Sequence, residues 1–172
     1  MSEEKLVYDG WLKVYNKDVN GKTYDILSNY DAVAAFITDE FGDILMVKQF
    51  RPAVMKDTLE IPAGCLDIKG ESPKDCLIRE LKEETNLIVG KESLSKIISY
   101  TPMLGFSKSI LHLYHVNIKK SDLKTNTIHD EDVREVLWID KKTFKEYVKD
   151  GKIFDGKTII SYLYVMNKEV FD

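Results

Sequence analysis

The pattern of hydrophobic and polar positions along the chain predicts a sheet flanked by helices. Apolar runs at 31–38 and 44–50 are typical of central strands that are covered on both faces. Further strands are predicted at 58–62, 94–101, 109–118 and 133–140. The spacing of apolar residues also predicts a helix at 73–85 and two closing helices at 141–151 and 157–171.

The first thirty residues predict a separate antiparallel hairpin. Its two strands, 5–19 and 22–29, are joined across Asn20-Gly21, which is a strong signal for a two-residue turn. We therefore expect residues 1–30 to form an N-terminal β extension and residues 31–172 to form the main domain. The predicted fold class is α+β, with a mixed β-sheet between helices and an added N-terminal antiparallel sheet.

The helix that begins at Pro73 carries a cluster of acids. Ser72 before it is a good N-cap, and proline suits the first helical position. Glu80, Glu83 and Glu84 follow at i, i+3 and i+4, so they share one face. Such a cluster is either a solvated acidic face or a site where a hard divalent cation, Mg²⁺ or Mn²⁺, neutralises the carboxylates.

Residues 60–87 resemble the Nudix box, G-x5-E-x7-R-E-U-x-E-E-x-G-U, in which U is aliphatic. Glu71 is followed by seven residues and then by RELKEE at 79–84. Six residues rather than five separate Gly64 from Glu71, and Asn86 stands in place of the last glycine. The insertion falls in a loop, where it costs little, and asparagine is the next best residue after glycine for a left-handed helix cap. By these residues the chain resembles the Nudix hydrolases.

This resemblance implies a Mg²⁺ site, with Mn²⁺ as the alternative metal. The implied metal ligands are Glu80 and Glu84, with Glu83 binding directly or through a water, and the backbone carbonyl of Ala63. Arg79 is implied to pair with a carboxylate, for which Glu71 is a candidate, and to hold its orientation. We expect Glu83 and Arg79 to act in catalysis.

A base must also take a proton from the attacking water, and the resemblance implies an acid in a loop before the last strand. The sequence DEDVREV at 130–136 matches that position. We expect Glu131 to be the base, and the alternatives are Asp130, Asp132 and Glu135.

Three further features resemble the ADP-ribose pyrophosphatase subfamily. They are KQFRPAV with LEIPAG before the box, Pro102 as the fifteenth residue after Leu87, and the closing segment DGKIFDGKTIISYLYV. The resemblance implies hydrolysis of ADP-ribose to AMP and ribose 5-phosphate by a homodimer whose N-terminal sheets cross between subunits. Another nucleotide sugar or dinucleotide (a GDP-sugar, FAD or NADH) and a non-catalytic nucleotide-sugar sensor remain as alternatives.

The resemblance also implies several substrate contacts. Arg51 would contact the diphosphate or the terminal ribose, and Leu104 and Gly105 would lie along the substrate. Trp11 and Tyr24 on the N-terminal strands either pack across strands or stack on adenine.

Composition narrows the class of protein. The chain has 172 residues and a net charge of −4, from 25 basic and 29 acidic side chains, which gives no general attraction to nucleic acid or anionic membranes. No apolar run approaches the roughly 18 residues of a membrane span, and the N-terminus lacks the pattern of a signal peptide. The only cysteines, Cys65 and Cys76, lack zinc-ligand neighbours and predict reduced thiols in a cytoplasmic protein.

Overall fold

The structure is a computed structural model, and it describes residues 4–123 and 130–167. Its first three strands, β1 (Glu4–Asp9), β2 (Lys13–Val19) and β3 (Lys22–Ser28), form a separate antiparallel sheet. The predicted turn at Asn20-Gly21 is confirmed, and both of its residues have positive φ (52° and 79°).

The predicted single strand at 5–19 is wrong, because the chain reverses at residues 10–12 and β1 pairs with β2. At this reversal, a Cβ on Gly10 would lie 2.6 Å from the hydroxyl of Tyr8, so only glycine fits without a shift.

Seven further strands within the described residues form one mixed sheet. They are β4 (Ala32–Thr38), β5 (Ile44–Arg51), β6 (Lys56–Glu60), β7 (Ala63–Cys65), β8 (Ser95–Tyr100), β9 (Leu111–Asn117) and β10 (Val133–Ile139). Strands β10, β5, β4, β9 and β8 are neighbours in that order, and β4 and β9 are parallel. The sequence predicted these strands with small shifts at their ends, except β7, which has only three residues.

Helix α1 (Pro73–Thr85) covers one face of this sheet, while α2 (Lys141–Lys149) and α3 (Gly156–Met166) cover the other. Leu77 and Leu81 of α1 are buried with Val33, whereas Phe144 of α2 stacks on Tyr162 of α3 with ring centroids 4.4 Å apart. The predicted α+β class, with a mixed sheet between helices and an N-terminal sheet, is confirmed. The predicted end of the last helix, at 168–171, lies outside the described residues.

Strands β4 and β5 diverge and make room for the segment that carries the site. They pair with each other only at Thr38 and Ile44. Farther along, β6 pairs with β5 and β7 pairs with β4. The connection from Glu60 to Ala63 therefore lies where the two strands separate.

The helices of the described part of the chain include none that is both long and apolar enough to cross a membrane.

Candidate active site

Helix α1 is fixed at both ends and along one side. The hydroxyl of Ser72 accepts a backbone N–H of the first turn at 3.3 Å, and Pro73 is the first helical residue. Asn86 at the C-terminal end is left-handed (φ 55°, ψ 21°), which confirms the conformational role predicted for it. Since Leu77 and Leu81 are fully buried, the rotation of the helix about its axis is set by the core.

Glu84 is the most deeply buried acid of this helix, with only 3% of its surface exposed. One of its carboxylate oxygens accepts the backbone N–H of Ala63 at 2.9 Å. Burial raises the pKa of Glu84 to about 8, and the charges of Glu80 and Asp130 add to the rise. A carboxyl group in this environment holds a proton at neutral pH unless a cation supplies compensating charge.

Gly64 allows strand β7 to pass directly against the side chain of Glu80. A Cβ on Gly64 would lie 1.9 Å from Cδ and 2.3 Å from Oε1 of that glutamate. The Glu80 side chain is largely buried, and burial raises its pKa. The sequence around Gly64 therefore brings backbone and carboxylate closer together than any residue with a Cβ would permit.

Arg79 holds three neighbouring acids around one guanidinium group. Its Nε and Nη2 donate to the two carboxylate oxygens of Glu71 at 3.1 Å, which confirms that predicted pair. Nη1 donates to Glu80 at 2.7 Å and to Glu83 at 3.2 Å. The hydrogen bonds with Arg79 lower the pKa of Glu71, so this carboxylate is ionised over the physiological pH range.

The acids of α1 are close to one another without being arranged around a common point. In residues 4–123 and 130–167, no three Asp, Glu, His or Cys side chains form a group that could hold a metal ion, and Arg79 takes up oxygens of Glu80 and Glu83. The donor set nevertheless fits Mg²⁺, because carboxylate oxygens are its preferred ligands and burial raises the pKa of both Glu80 and Glu84. The predicted ligand set remains a prediction.

Glu60, the last residue of β6, is bound by two cations. Its side chain is 5% exposed, and Arg51 donates Nε and Nη2 to its two oxygens at 2.7 and 2.6 Å. Lys157 bonds to the same carboxylate, and the Thr58 hydroxyl donates to it at 2.6 Å. The sequence alone, in which Glu60 comes shortly before Ala63 and Gly64, indicates only a further acid near the metal cluster, whereas the structure shows that these cations neutralise it.

Sequence reasoning missed Lys157. This residue lies in the first turn of α3, and its side chain, only 11% exposed, forms ion pairs with Glu60 and Asp155. The helix dipole disfavours a cation at a helix N-terminus. That mismatch was the available signal, because a lysine in such a position indicates an acid nearby.

The Glu60 cluster predicts a specific pH dependence of stability. Burial alone would raise the pKa of Glu60, but the hydrogen bonds from Arg51 and the charge of Lys157 lower it to about 2. Since the folded pKa lies below the ordinary value of 4.5, ionised Glu60 stabilises the fold above that pH. This contribution disappears as the pH falls from 4.5 towards 2.

We therefore expect Glu60→Gln to lower the free energy of unfolding by about 3 kcal/mol at pH 7 and about 1 kcal/mol at pH 3. Urea denaturation of both proteins at the two pH values measures the difference. The control is Glu146→Gln, at an exposed position of α2, which should change little at either pH. An equal loss for Glu60→Gln at both pH values would contradict the predicted role of the ionised carboxylate.

A cavity of about 250 Å³ opens beside Ala63 and Gly64. Its lining residues are Asn29, Tyr30, Ala32, Arg51, Ala63, Gly64, Cys65, Pro102, Met103, Ser109, Ile110, Leu111 and Lys157. The structure thus brings Arg51 and the predicted ligand Ala63 to one cavity. Leu104, Gly105, Trp11 and Tyr24 are not among the lining residues, and their substrate contacts remain predictions.

The predicted base lies just before β10. Glu131, Asp132 and Glu135 are exposed, while Asp130 is partly buried and accepts the backbone N–H of Asp132 at 2.7 Å. Asp130 is near enough to Glu84 for its charge to raise the pKa of that residue. Residues 124–129, which precede this segment, lie outside the described residues.

Comparison with known proteins matches residues 29–160 to the sequence model of the NUDIX domain. The ADP-ribose pyrophosphatase of Bacillus subtilis (strain 168) is 30% identical over 98% of this chain and 92% of its own length. The methanol dehydrogenase activator of Bacillus methanolicus is 33% identical over 87% of this chain and 80% of its own. The GDP-mannose pyrophosphatase of Yersinia enterocolitica is 32% identical over 72% and 66%, respectively.

Proposed function

The chain belongs to the NUDIX domain family, and from this premise we propose that it hydrolyses ADP-ribose to AMP and ribose 5-phosphate. One observation carries the choice of a diphosphate substrate. Acids that fit Mg²⁺ contact Ala63 and Gly64, and the cations Arg51 and Lys157 line the cavity that these two residues border. Similarity to the Bacillus subtilis ADP-ribose pyrophosphatase over nearly the whole chain supports the choice of nucleotide sugar.

Mg²⁺, or Mn²⁺ in its place, would be held by Glu80, Glu84 and the Ala63 carbonyl, with Glu83 as a direct or water-bridged ligand. When bound, the metal supplies charge neutralisation on the diphosphate and lowers the pKa of the attacking water.

The other roles belong to side chains of this chain. Arg51 binds the diphosphate with the N–H groups that Glu60 does not use. Arg79 holds Glu71, Glu80 and Glu83 in mutual orientation. Glu131 takes the proton from the attacking water, and its position supports this role because the adjacent residue, Asp130, is near enough to Glu84 for its charge to raise the pKa of that carboxyl group.

The remaining parts of the proposal concern the N-terminal extension, residues 1–30. We propose that it joins two subunits into a homodimer and that Trp11 and Tyr24 stack on adenine, with Leu104 and Gly105 along the substrate. Apolar exposure supports an interface, since Trp11 is 73% exposed and Leu6, Val7 and Tyr8 of β1 are each more than 40% exposed. A cytoplasmic location is supported by the two free cysteines.

A substrate panel tests the proposed function directly. The protein is incubated with Mg²⁺ and ADP-ribose, GDP-mannose, FAD or NADH, and the products are separated by chromatography. We expect AMP and ribose 5-phosphate from ADP-ribose at the highest kcat/KM. Faster release of GMP from GDP-mannose would favour the second candidate, for which similarity to the Yersinia enterocolitica enzyme argues. Tight binding of these compounds without any product would instead support a sensor.

Gly64→Ala tests the close approach of β7 to Glu80. The added methyl group must displace the Glu80 side chain, because contacts below 3.0 Å do not persist. We expect kcat to fall about 10- to 100-fold and the free energy of unfolding to fall by about 1–3 kcal/mol. Gly156→Ala is the matched control, since a Cβ there meets nothing within 4 Å. Unchanged kcat in Gly64→Ala would show that the position of Glu80 does not limit turnover.

A further inference from the structure

We propose that Lys157 is a second phosphate-binding cation of this site and contacts the diphosphate together with Arg51, while Glu60 holds both cations in place. The proposal rests on the proposed function and deepens it, since it assigns the recognition of the diphosphate to two side chains. These come from different elements, because Arg51 ends strand β5 and Lys157 lies in the first turn of α3.

The placement of Lys157 points to the substrate cavity. It lines the same 250 Å³ cavity as Arg51, Ala63 and Gly64. Ala63 and Gly64 are the residues that the acids of α1 contact. The side chain of Lys157 is nevertheless only 11% exposed, and it is bonded to a carboxylate that is itself 5% exposed. A long, flexible side chain is thus held in one position beside the cavity, which reduces the entropy that it would lose on binding a ligand.

Lys157 and Arg51 have more N–H donors than their bonds to neighbouring carboxylates use. An ammonium group has three donors, and Lys157 directs bonds to Glu60 and to Asp155, which leaves one. A guanidinium group has five donors, and Arg51 uses two of them on Glu60. Both side chains can therefore bind an anion without giving up Glu60.

The local charge also favours an anion. Glu60 pairs with both cations and Asp155 pairs with Lys157, so two carboxylates meet two cations. Asp155, the other partner of Lys157, is the N-cap of α3 and accepts the backbone N–H of Thr158 at 3.1 Å, so its charge also stabilises the helix N-terminus. Because the positive N-terminus of α3 shares the charge of Asp155, a small excess of positive charge remains beside the cavity, and a diphosphate next to Arg51 and Lys157 would balance it.

The simplest alternative is that Lys157 only neutralises Glu60. Under that alternative, removing the ammonium group would lower stability but would leave the affinity for phosphate groups unchanged. The two readings therefore separate in a binding measurement that does not depend on turnover.

The decisive experiment is calorimetric titration of the Mg²⁺-loaded protein with inorganic pyrophosphate. We compare Lys157→Met, which keeps the aliphatic stem, and Lys157→Arg, which keeps the charge. Lys157→Met should raise the Kd for pyrophosphate about 10- to 100-fold, the effect of one charge-assisted hydrogen bond, and Lys157→Arg should recover most of the loss. The matched control is Lys152→Met, at an exposed lysine paired with Asp150, which should bind pyrophosphate as the wild type does.

Kinetics with ADP-ribose provide the second measurement. For Lys157→Met we expect KM to rise by a similar factor and the salt dependence of KM to become weaker, because one phosphate contact is lost. An unchanged Kd for pyrophosphate together with lower stability would overturn the proposal. If Lys157→Met fails to fold, Lys157→Gln is judged by the same titration.

The two hypotheses fail in different ways. A wild-type protein that turns over no nucleotide sugar would refute the proposed function, whereas the pyrophosphate titration would still decide on Lys157. A wild-type protein that hydrolyses ADP-ribose, with Lys157→Met unchanged in both Kd and KM, would refute only the assignment of Lys157.

Discussion

Glu84→Gln should nearly abolish turnover and, at the same time, make the metal-free protein more stable. The substitution removes a carboxylate proposed to hold Mg²⁺, so we expect kcat to fall about 1,000-fold. The amide oxygen of glutamine can still accept the backbone N–H of Ala63 that Glu84 accepts at 2.9 Å. The local backbone is therefore expected to keep its position.

The gain in stability follows from the pKa of Glu84, which burial raises to about 8. A carboxyl group with a raised folded pKa supports the fold most below its unfolded pKa of 4.5, and this support is lost as the pH rises towards 8. A neutral amide avoids that loss, so the free energy of unfolding should rise by about 1–3 kcal/mol at pH 7. The gain should be smaller at pH 5 and larger at pH 8.

Steady-state kinetics with Mg²⁺ and urea denaturation in a chelator measure the two effects separately. Glu146→Gln on α2 is the control for loss of an exposed carboxylate and should alter neither quantity. If Glu84→Gln kept its turnover, the proposed metal ligand set would be wrong. A loss of stability in place of the expected gain would show that the pKa of this carboxyl group is not raised, and the loss of turnover would then be assigned to misfolding.

Local signals allowed most of the fold to be predicted, and α1 illustrates why. Its N-cap at Ser72, its proline at the first position and its left-handed cap at Asn86 all act within a few residues, so the chain itself defines the helix. The reversal at Gly10 was missed because apolar residues stand on both sides of Asp9-Gly10 and give the appearance of one continuous strand. Strand β7 was missed because three residues form a strand only when a distant partner, here β4, lies beside them.

In the candidate site too, residues close together in sequence could be predicted and those brought together from distant segments could not. The acids at Glu80, Glu83 and Glu84 could be predicted because one helix carries them all. The Glu60 cluster could not be predicted in full, since Arg51 is nine residues away in sequence and Lys157 is 97 residues away. Only the folded chain shows that the carboxylate of Glu60 binds two cations, and this arrangement gives Glu60 the role of holding these cations.

Arg51→Met should lower kcat/KM about 100- to 1,000-fold, the second largest effect that we expect. The substitution removes the guanidinium group proposed to bind the diphosphate, and it also breaks the two-point contact with Glu60. Arg51→Lys keeps the charge but cannot form that fork, so its kcat/KM should lie between those of Arg51→Met and the wild type.

The burial of the two partners determines the effect on stability. Arg51 is 42% exposed and loses little on its own, whereas Glu60 is 5% exposed and would keep only Lys157 and Thr58 as partners. A buried charge that loses one partner is strongly destabilised, so we expect the free energy of unfolding to fall by about 2 kcal/mol in Arg51→Met.

Steady-state kinetics and urea denaturation at pH 7 and pH 3 test both effects. Arg134→Met is the matched control, because Arg134 is an exposed arginine of β10 that also pairs with a carboxylate, Asp57 of β6, across strand β5. It should keep full turnover. If the Arg51→Met loss of stability reflects an under-compensated Glu60, it must shrink at pH 3, where protonation of Glu60 becomes easier once Arg51 is absent. An equal fall in the free energy of unfolding at both pH values would show that Arg51 stabilises the fold by packing and not by compensating the charge of Glu60.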